Sequence, residues 1–337
     1  MTEENITKSI TYGVGLDIGT MNLVSARDSD KDLKVRRMRD LFLDLPKDAK
    51  KMLKLSGVNF VERDEDLLIL GDAALEIANV FGKEARRPLK AGLVSPSEID
   101  SLEVLGLMIS NVLQKPQIPG EMCCFSVPAS PIDIPGQDVV YHKGVFEKII
   151  TELGYTPQAT NEAMAIIYAE TALEGFSGIA LSFGSGMTNV ALAVHTVEGL
   201  SFSVARSGDW IDIGAAKSIG STQARICVLK EKGINLNNPT DRETEAITFY
   251  YKAMIEYVLD NLANRFKLIQ GQFALPKPIP MIISGGTSLA GGFMELFNKV
   301  FERKRKSFPI EISEIRQARE PLDAVARGLL VLAQQED

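Results

Sequence analysis

A surplus of positive charge is what this sequence most plainly lacks. Its 37 Lys and Arg stand against 44 Asp and Glu, a formal charge of −7. Neutralising nucleic-acid phosphates takes a Lys/Arg excess, so no direct nucleic-acid partner is expected. The one dense basic run, Arg303-Lys304-Arg305-Lys306, ends a helical pattern, where cations complement the helix dipole. It reads as a solvated helix end. Cysteine is scarce too. Three cysteines make no disulfide framework, and Cys123 and Cys124 are adjacent in an apolar run. On a strand they would point to opposite faces, as buried free thiols in a reducing compartment. No stretch resembles a signal peptide or an integral membrane segment. The polar N-terminus, Met1 to Ser9, carries both charge signs and does not read as an amphipathic anchor. These absences together predict a cytoplasmic protein. Two nucleotide signatures are also missing: the Walker A loop and the Gly-x-Gly-x-x-Gly dinucleotide turn.

What is present is an ordinary globular composition, 45% hydrophobic and 24% charged over 337 residues. A chain of that length usually divides its core between two domains. Tyr12 to Ala26 alternates apolar residues around a Gly-rich centre, as strand, tight turn and strand. Leu33 to Leu45 and Leu67 to Leu70 give further strands, and Asp72 to Phe81 has helical spacing. Arg87 to Val94 reads as a loop before a long amphipathic pattern, Ser97 to Gln114. Met122 to Pro128 is a short buried strand. Gln137 to Leu153 and Thr160 to Leu173 read as helices, the first closed by Gly154. Gly178 to Val194 repeats the opening pattern. The interval from Ala246 to Gln270 is mainly one helix, and Pro276 to Pro280 is a stiff linker into a strand at Met281 to Ser284. Helices at Gly292 to Arg303 and Glu320 to Gln334 complete an α/β alternation.

The repeat carries most of the information. One copy reads Gly15-Leu16-Asp17-Ile18-Gly19-Thr20-Met21-Asn22. The other reads Ala180-Leu181-Ser182-Phe183-Gly184-Ser185-Gly186-Met187-Thr188-Asn189. Each ends a strand in a Gly turn bearing hydroxyl and amide side chains. Two such turns half a chain apart suggest similar domains facing each other across a cleft. Gly turns let backbone N–H groups approach phosphate oxygens closely. Asp17, a carboxylate ending an apolar strand, suits a hydrated magnesium ion. Two facing turns would then grip phosphates from both sides, and positioning with electrostatics would carry phosphoryl transfer.

These residues resemble the actin superfamily over essentially the whole chain. Gly15 to Asn22 is similar to its first phosphate loop and Ser182 to Asn189 to its second. Ser284-Gly285-Gly286-Thr287-Ser288-Leu289 resembles its adenosine loop. Thr160 to Ala165 and Pro321 to Gly328 resemble its two inter-domain helices. Pro88 to Val94, Ser207 to Asp212 and Arg242 to Ile247 resemble segments of the bacterial filament branch, the MamK- and MreB-like proteins. The resemblance implies an actin-like, ribonuclease H-like duplicated α/β fold, with two domains flanking a nucleotide cleft. Domain I would span 1–158 plus 320–337, and domain II would span 159–319 with a reduced upper subdomain.

It also implies ATP or ADP with Mg2+ as cofactors, and a set of site residues. Gly19, Thr20, Met21, Asn22, Gly184, Ser185, Gly186, Met187 and Thr188 would take the phosphates. Gly208, Asp209, Glu245, Gly285, Gly286, Thr287 and Leu289 would take the adenosine. Asp17 and Ser182 would serve the metal, although the family generally has an acid where Ser182 stands, which bears on hydrolysis. The water-orienting residue would lie near the start of the Gln137 to Leu153 helix, with His142 nearest and Gln137 and Asp138 as neighbours. Asp17 and His142 are thus the expected catalytic pair. The expected activity is slow ATP hydrolysis controlling assembly of a cytoskeletal filament by self-association. Such a filament would position an organelle or plasmid through an adaptor. Alternatives are a chaperone-like ATPase, a small-molecule kinase, or a nucleotide binder with little hydrolysis.

Overall fold

A computed structural model describes residues 12–29, 32–95, 100–134, 139–271, 275 and 278–335. The polar N-terminal stretch, Gln137 and Asp138 lie outside the described residues. The first part of the chain forms strands β1 (Val14–Ile18), β2 (Asn22–Asp28), β3 (Leu33–Arg39) and β4 (Phe42–Pro46), then helix α1 (Lys50–Leu55). Strands β5 (Val61–Glu62) and β6 (Asp66–Leu70) and helix α2 (Asp72–Phe81) follow. A small hairpin, β7 (Leu89–Lys90) and β8 (Leu93–Val94), leads to α3 (Ser101–Leu113), β9 (Met122–Val127), α4 (Val140–Glu152) and β10 (Thr156–Asn161).

The second part runs α5 (Glu162–Glu170), β11 (Gly178–Phe183), β12 (Thr188–Val194), β13 (Val197–Val204), α6 (Gly208–Ile219) and α7 (Gln223–Glu231). The 28-residue α8 (Arg242–Ile269) follows, then β14 (Ile279–Ser284), α9 (Phe293–Lys304), β15 (Ile312–Gln317) and α10 (Ala324–Ala333).

Two five-stranded sheets share one topology. The first is ordered β3-β2-β1-β9-β10 and the second β13-β12-β11-β14-β15. In each, the first three strands form an antiparallel meander and the last two lie parallel to the first. Parallel neighbours need crossovers, and these carry the helices. The duplication read from the Gly turns is therefore a duplication of whole sheets, the actin-like α/β architecture. β11 and β14 are buried at every position, as central strands covered on both faces are.

Helices α5 and α10 cross between the sheets. Asn161 caps α5, its Oδ1 accepting from the N–H groups of Ala163 (2.9 Å) and Met164 (3.2 Å). Strand β10 runs to that cap, so the first sheet reaches three residues past the boundary drawn after residue 158. Ala163 to Ile167 of α5 pack with Ala324, Val325 and Leu329 of α10 and with Ala180 and Ala191 of the second sheet. Small residues set how closely these layers meet. A Cβ on Gly328 would lie 1.7 Å from the Ala165 carbonyl oxygen, and one on Gly15 would lie 2.0 Å from that of Ala326. Cys123 and Cys124 are buried free thiols facing different clusters, as their adjacency on a strand requires.

Several elements differ from expectation. The Arg87 to Val94 segment is not a plain loop: Ala91 (φ 49°) and Gly92 (φ 76°) close the β7–β8 hairpin. The helix read over Thr160 to Leu173 starts at Glu162, because Thr160 and Asn161 still pair with β9. Strand β14 starts at Ile279, inside the stretch read as linker. Helix α7 has almost no amphipathic periodicity and buries only Ile226, which hid it from pattern reading.

The helix crossing sets the first test. Gly328→Ala should lower the stability of the whole chain by about 1–3 kcal/mol or more through overpacking. The measurement is a fall in urea midpoint at constant m. An unchanged midpoint would show that the crossing has slack.

Candidate functional site

The two Gly turns come together in the cleft. Gly19 N–H donates to Asn22 O (3.0 Å) and Gly184 N–H to Met187 O (3.0 Å), so the two turns close with the same bond. A Cβ on Gly19 or Gly184 would fall 2.9 Å or 2.8 Å from the accepting carbonyl oxygen. They also touch. A Cβ on Gly186 would meet Thr20 Oγ1 at 2.3 Å and Gly92 N at 2.4 Å, and Gly92 N–H donates to Thr20 Oγ1 (3.1 Å). The β7–β8 turn thus packs against both loops.

Around them is a cavity of about 460 Å3. Its lining includes Asp17, Gly19, Thr20, Met21 and Asn22 from the first turn, and Ser182, Gly184, Ser185, Gly186 and Met187 from the second. Gly208, Gly285, Gly286, Thr287 and Leu289 line its other end. Gly285 has φ 91° and sits against the Phe183 backbone, while Thr287 Oγ1 donates to Gly184 O (2.8 Å). The third Gly element is thus tied to the second turn.

Asp17 and Glu162 face this cavity together. Ser126 Oγ donates to Asp17 Oδ1 (2.9 Å) while accepting from Ile18 N–H (2.8 Å). Glu162, at the start of α5, accepts from Ser182 Oγ at Oε1 (2.6 Å) and from Asn189 Nδ2 at Oε2 (2.8 Å). Burial pushes the Asp17 carboxyl well above its ordinary value, the Glu162 charge raises it further, and the Ser126 hydrogen bond opposes them. Burial raises Glu162 also, against the hydrogen bonds from Ser182 and Asn189. The acid missing at position 182 therefore has a counterpart in Glu162, held against Ser182 itself.

At the other end, burial pushes Asp212 up to about 6, opposed by Lys230, whose Nζ lies 2.7 Å from Asp212 Oδ1. Lys230 Nζ also donates to Gly208 O (3.1 Å). Glu231 lines the cavity and accepts from Arg39 across the cleft (2.9 Å), and Tyr251 lines the wall from α8. Four carboxylates (Asp17, Glu162, Asp212, Glu231) thus line the cavity against two cations (Arg39, Lys230). An anionic ligand here would meet backbone N–H groups, and the acidic excess calls for a cation beside it. Hard carboxylate and hydroxyl oxygens fit a hydrated magnesium ion.

Some expected site residues are elsewhere. Glu245 is exposed on the first turn of α8 and does not line the cavity. Glu231 of α7, like Glu162, does. His142 is 1% exposed beneath β8: its Nδ1 accepts from Val94 N–H (3.2 Å), its ring packs edge-on to Phe146, and burial lowers its pKa to about 4. It is a neutral core histidine away from the lining. The Thr188 hydroxyl is turned to Arg206 O (2.8 Å), and Asp209 holds Ser185 and Arg87 without lining the cavity. Pattern reading missed Glu162, Asp212, Lys230, Glu231, Arg39 and Tyr251. For Glu162 the available signal was an Asn cap followed by an acid after a strand.

Residues 13–333 match the volactin family. The chain belongs to that family. No curated protein matches the chain. Among solved structures, the chain is similar to a MamK double helical filament, with TM-score 0.74, 19% identity, and 96% of this chain and 99% of the other covered. It is also similar to MreB5 of Spiroplasma citri bound to AMPPNP, with TM-score 0.65, 15% identity and coverage of 94% and 93%. A third likeness is to the ethanolamine utilization protein EutJ from Carboxydothermus hydrogenoformans, with TM-score 0.54, 16% identity and coverage of 96% and 90%. At these identities the likenesses show an actin-like fold for this volactin-family chain. No helix among the described residues is long and apolar enough to cross a membrane.

The raised carboxyls give a signed prediction. A group whose folded pKa is raised contributes stability below its unfolded pKa and loses it as pH rises through the folded value. For Asp17 that loss begins near 3.8. Asp17→Asn should therefore stabilise the unliganded chain at pH 7, with the gain fading as pH falls toward 3.8. Denaturation midpoints of both proteins across pH 4–7 check this. A gain independent of pH would refute the buried charge as its cause.

Proposed function

We propose that this chain binds ATP with magnesium in the cleft, hydrolyses it slowly, and self-associates into filaments whose assembly follows nucleotide state. The observation that carries the reading is the pair of matched Gly turns closing over a cavity whose floor holds Asp17 and Glu162. The turns would take the phosphates on the N–H groups of Thr20 to Asn22 and Ser185 to Met187, since those of Gly19 and Gly184 close the turns themselves. Gly208, Gly285 to Thr287 and Leu289 would enclose the nucleoside, with Lys230 and Glu231 at its polar edge. Magnesium, held by Asp17 and waters, would supply the countercharge that the acidic lining leaves wanting.

Glu162 takes the role first assigned to His142. Its two oxygens keep lone pairs free beside the bonds from Ser182 and Asn189, so it can orient a water and receive its proton. Burial raises the basicity of this carboxylate, as a base at neutral pH requires. Ser182 positions that base and is not itself an acid. Self-association is supported by the likeness to a MamK filament across 96% of the chain. An adaptor linking the filament to an organelle or plasmid belongs to the same reading. A binder with little turnover is the second reading, favoured by a hydroxyl where an acid is expected.

Sedimentation and electron microscopy with ATP, ADP or no nucleotide, run beside phosphate release, test the proposal. The wild type should pellet and form linear polymers with ATP and magnesium. Glu162→Gln should keep ATP affinity while phosphate release drops by about 10²- to 10⁴-fold. Monomers at high concentration with ATP would sink the filament reading, and background release from the wild type would leave the binder.

A further inference from the structure

The second Gly turn is held by more than its own closing bond. Ser185 Oγ donates to Asp209 Oδ1 (2.8 Å), Asp209 N–H donates to Ser185 O (2.8 Å), and Ser207 Oγ donates to the same carbonyl (2.6 Å). The first turn of α6 thus clamps Ser185 from behind. Asp209 in turn depends on the other half of the molecule. Arg87 Nη1, just ahead of β7, donates to Asp209 Oδ1 (3.1 Å) and Oδ2 (3.2 Å). Arg87 Nη2 also reaches Met21 Sδ (3.5 Å) in the first turn. One guanidinium therefore joins the supports of both turns. Neither Arg87 nor Asp209 lines the cavity. Another cross-cleft tie beside the cavity, Arg39 to Glu231, bonds to neither turn through its side chains.

A second, independent observation concerns Asp40. It is 0% exposed, and neither carboxylate oxygen has a hydrogen-bond partner of good geometry, the Leu89 N–H only approaching it. Its own N–H donates to Met21 O (2.9 Å), so it belongs to the first turn's half, as Arg87 does. Burial pushes its carboxyl well above the ordinary value, and the cation pulling against that is Arg87. Arg87 thus bonds to a carboxylate across the cleft and acts electrostatically on one on its own side. A buried carboxylate without partners is costly unless a cation can reach it.

We propose that Arg87 is a cross-cleft positioning residue: paired with Asp209 it holds Ser185, and so the second turn, in its phosphate-accepting shape while the halves are closed. This rests on the nucleotide reading above and adds to it a selective coupling. Phosphate-bearing ligands need the second turn and so favour the closed state. A nucleoside alone does not need it. By linkage, the same free energy that phosphates gain from closure is the energy by which they drive it.

The test is calorimetry on the full chain with magnesium and three ligands: adenosine, ADP and the non-hydrolysable analogue AMPPNP. Arg87→Met, Asp209→Asn and the double variant are compared with wild type, with thermal melting to confirm folding. We expect each single variant to lose roughly 5- to 150-fold in affinity for ADP and AMPPNP, the span of typical coupling energies. The double variant should lose no more than the worse single one, and adenosine affinity should be unchanged. Equal losses for all three ligands, or additive losses in the double variant, would overturn the latch. So would a folded Arg87→Met that binds ADP like wild type. A wild-type chain that binds none of the three overturns the nucleotide reading itself, and the latch with it.

Discussion

The structure depends on two close backbone contacts that share α10. Gly328 of α10 lies against the Ala165 carbonyl of α5, and Gly15 of β1 lies against the Ala326 carbonyl of α10. Through these points the first sheet rests on α10, α10 on α5, and α5 on the second sheet. Nothing larger than a hydrogen fits between, so the two sheets are held at a fixed separation. That separation decides whether Gly19 and Gly184 face each other across one cavity or sit on two unrelated surfaces. It also fixes where the N-terminus of α5 arrives, and hence where Glu162 stands. A side chain at residue 328 would act on the site without touching it.

Charge explains why the site is built of glycine. A cavity with four carboxylates and two cations repels phosphate unless other groups offset it. Backbone N–H groups do so without adding a titratable side chain, and they crowd together only where Cβ atoms are missing. Burial raises the pKa of both Asp17 and Glu162, and the Glu162 charge raises Asp17 further. Such a pair gains most from a divalent cation, which relieves burial and repulsion at once. The acidic lining and the Gly turns would together suit the proposed ligand, one bearing both phosphate and metal.

How much of this could be read from the residues depends on how local the cause is. The Gly turns were legible, because a tight turn after an apolar strand is dictated by a few neighbours. Helix α2 was legible to the residue, since its apolar spacing is regular and Gly82 ends it in a left-handed conformation. Glu162 was not, because its role comes from α5 crossing back beneath β11 to meet Ser182, a contact spanning the sheets. Lys230 and Glu231 were hidden for another reason. Helix α7 is held by α6 and buries only Ile226 of its own, so no periodicity marks which face it offers the cavity. His142 misled because a histidine on a helix near the expected place looks reactive. Its burial under β8, with a backbone amide on Nδ1, is a packing fact that spacing does not contain.

The duplicated halves also differ where they are most alike. In the first sheet Asp17 lies opposite Val24, while in the second Ser182 lies opposite Asn189. The first turn carries an ionisable group with an apolar neighbour. The second carries a hydroxyl and an amide and borrows its carboxylate from α5. Twin sheets facing each other have an approximate two-fold axis, and a cavity on such an axis would accept a ligand either way round. Moving the charge from a strand to a helix on one side alone breaks that degeneracy. The chain thereby distinguishes the two directions along its own cleft.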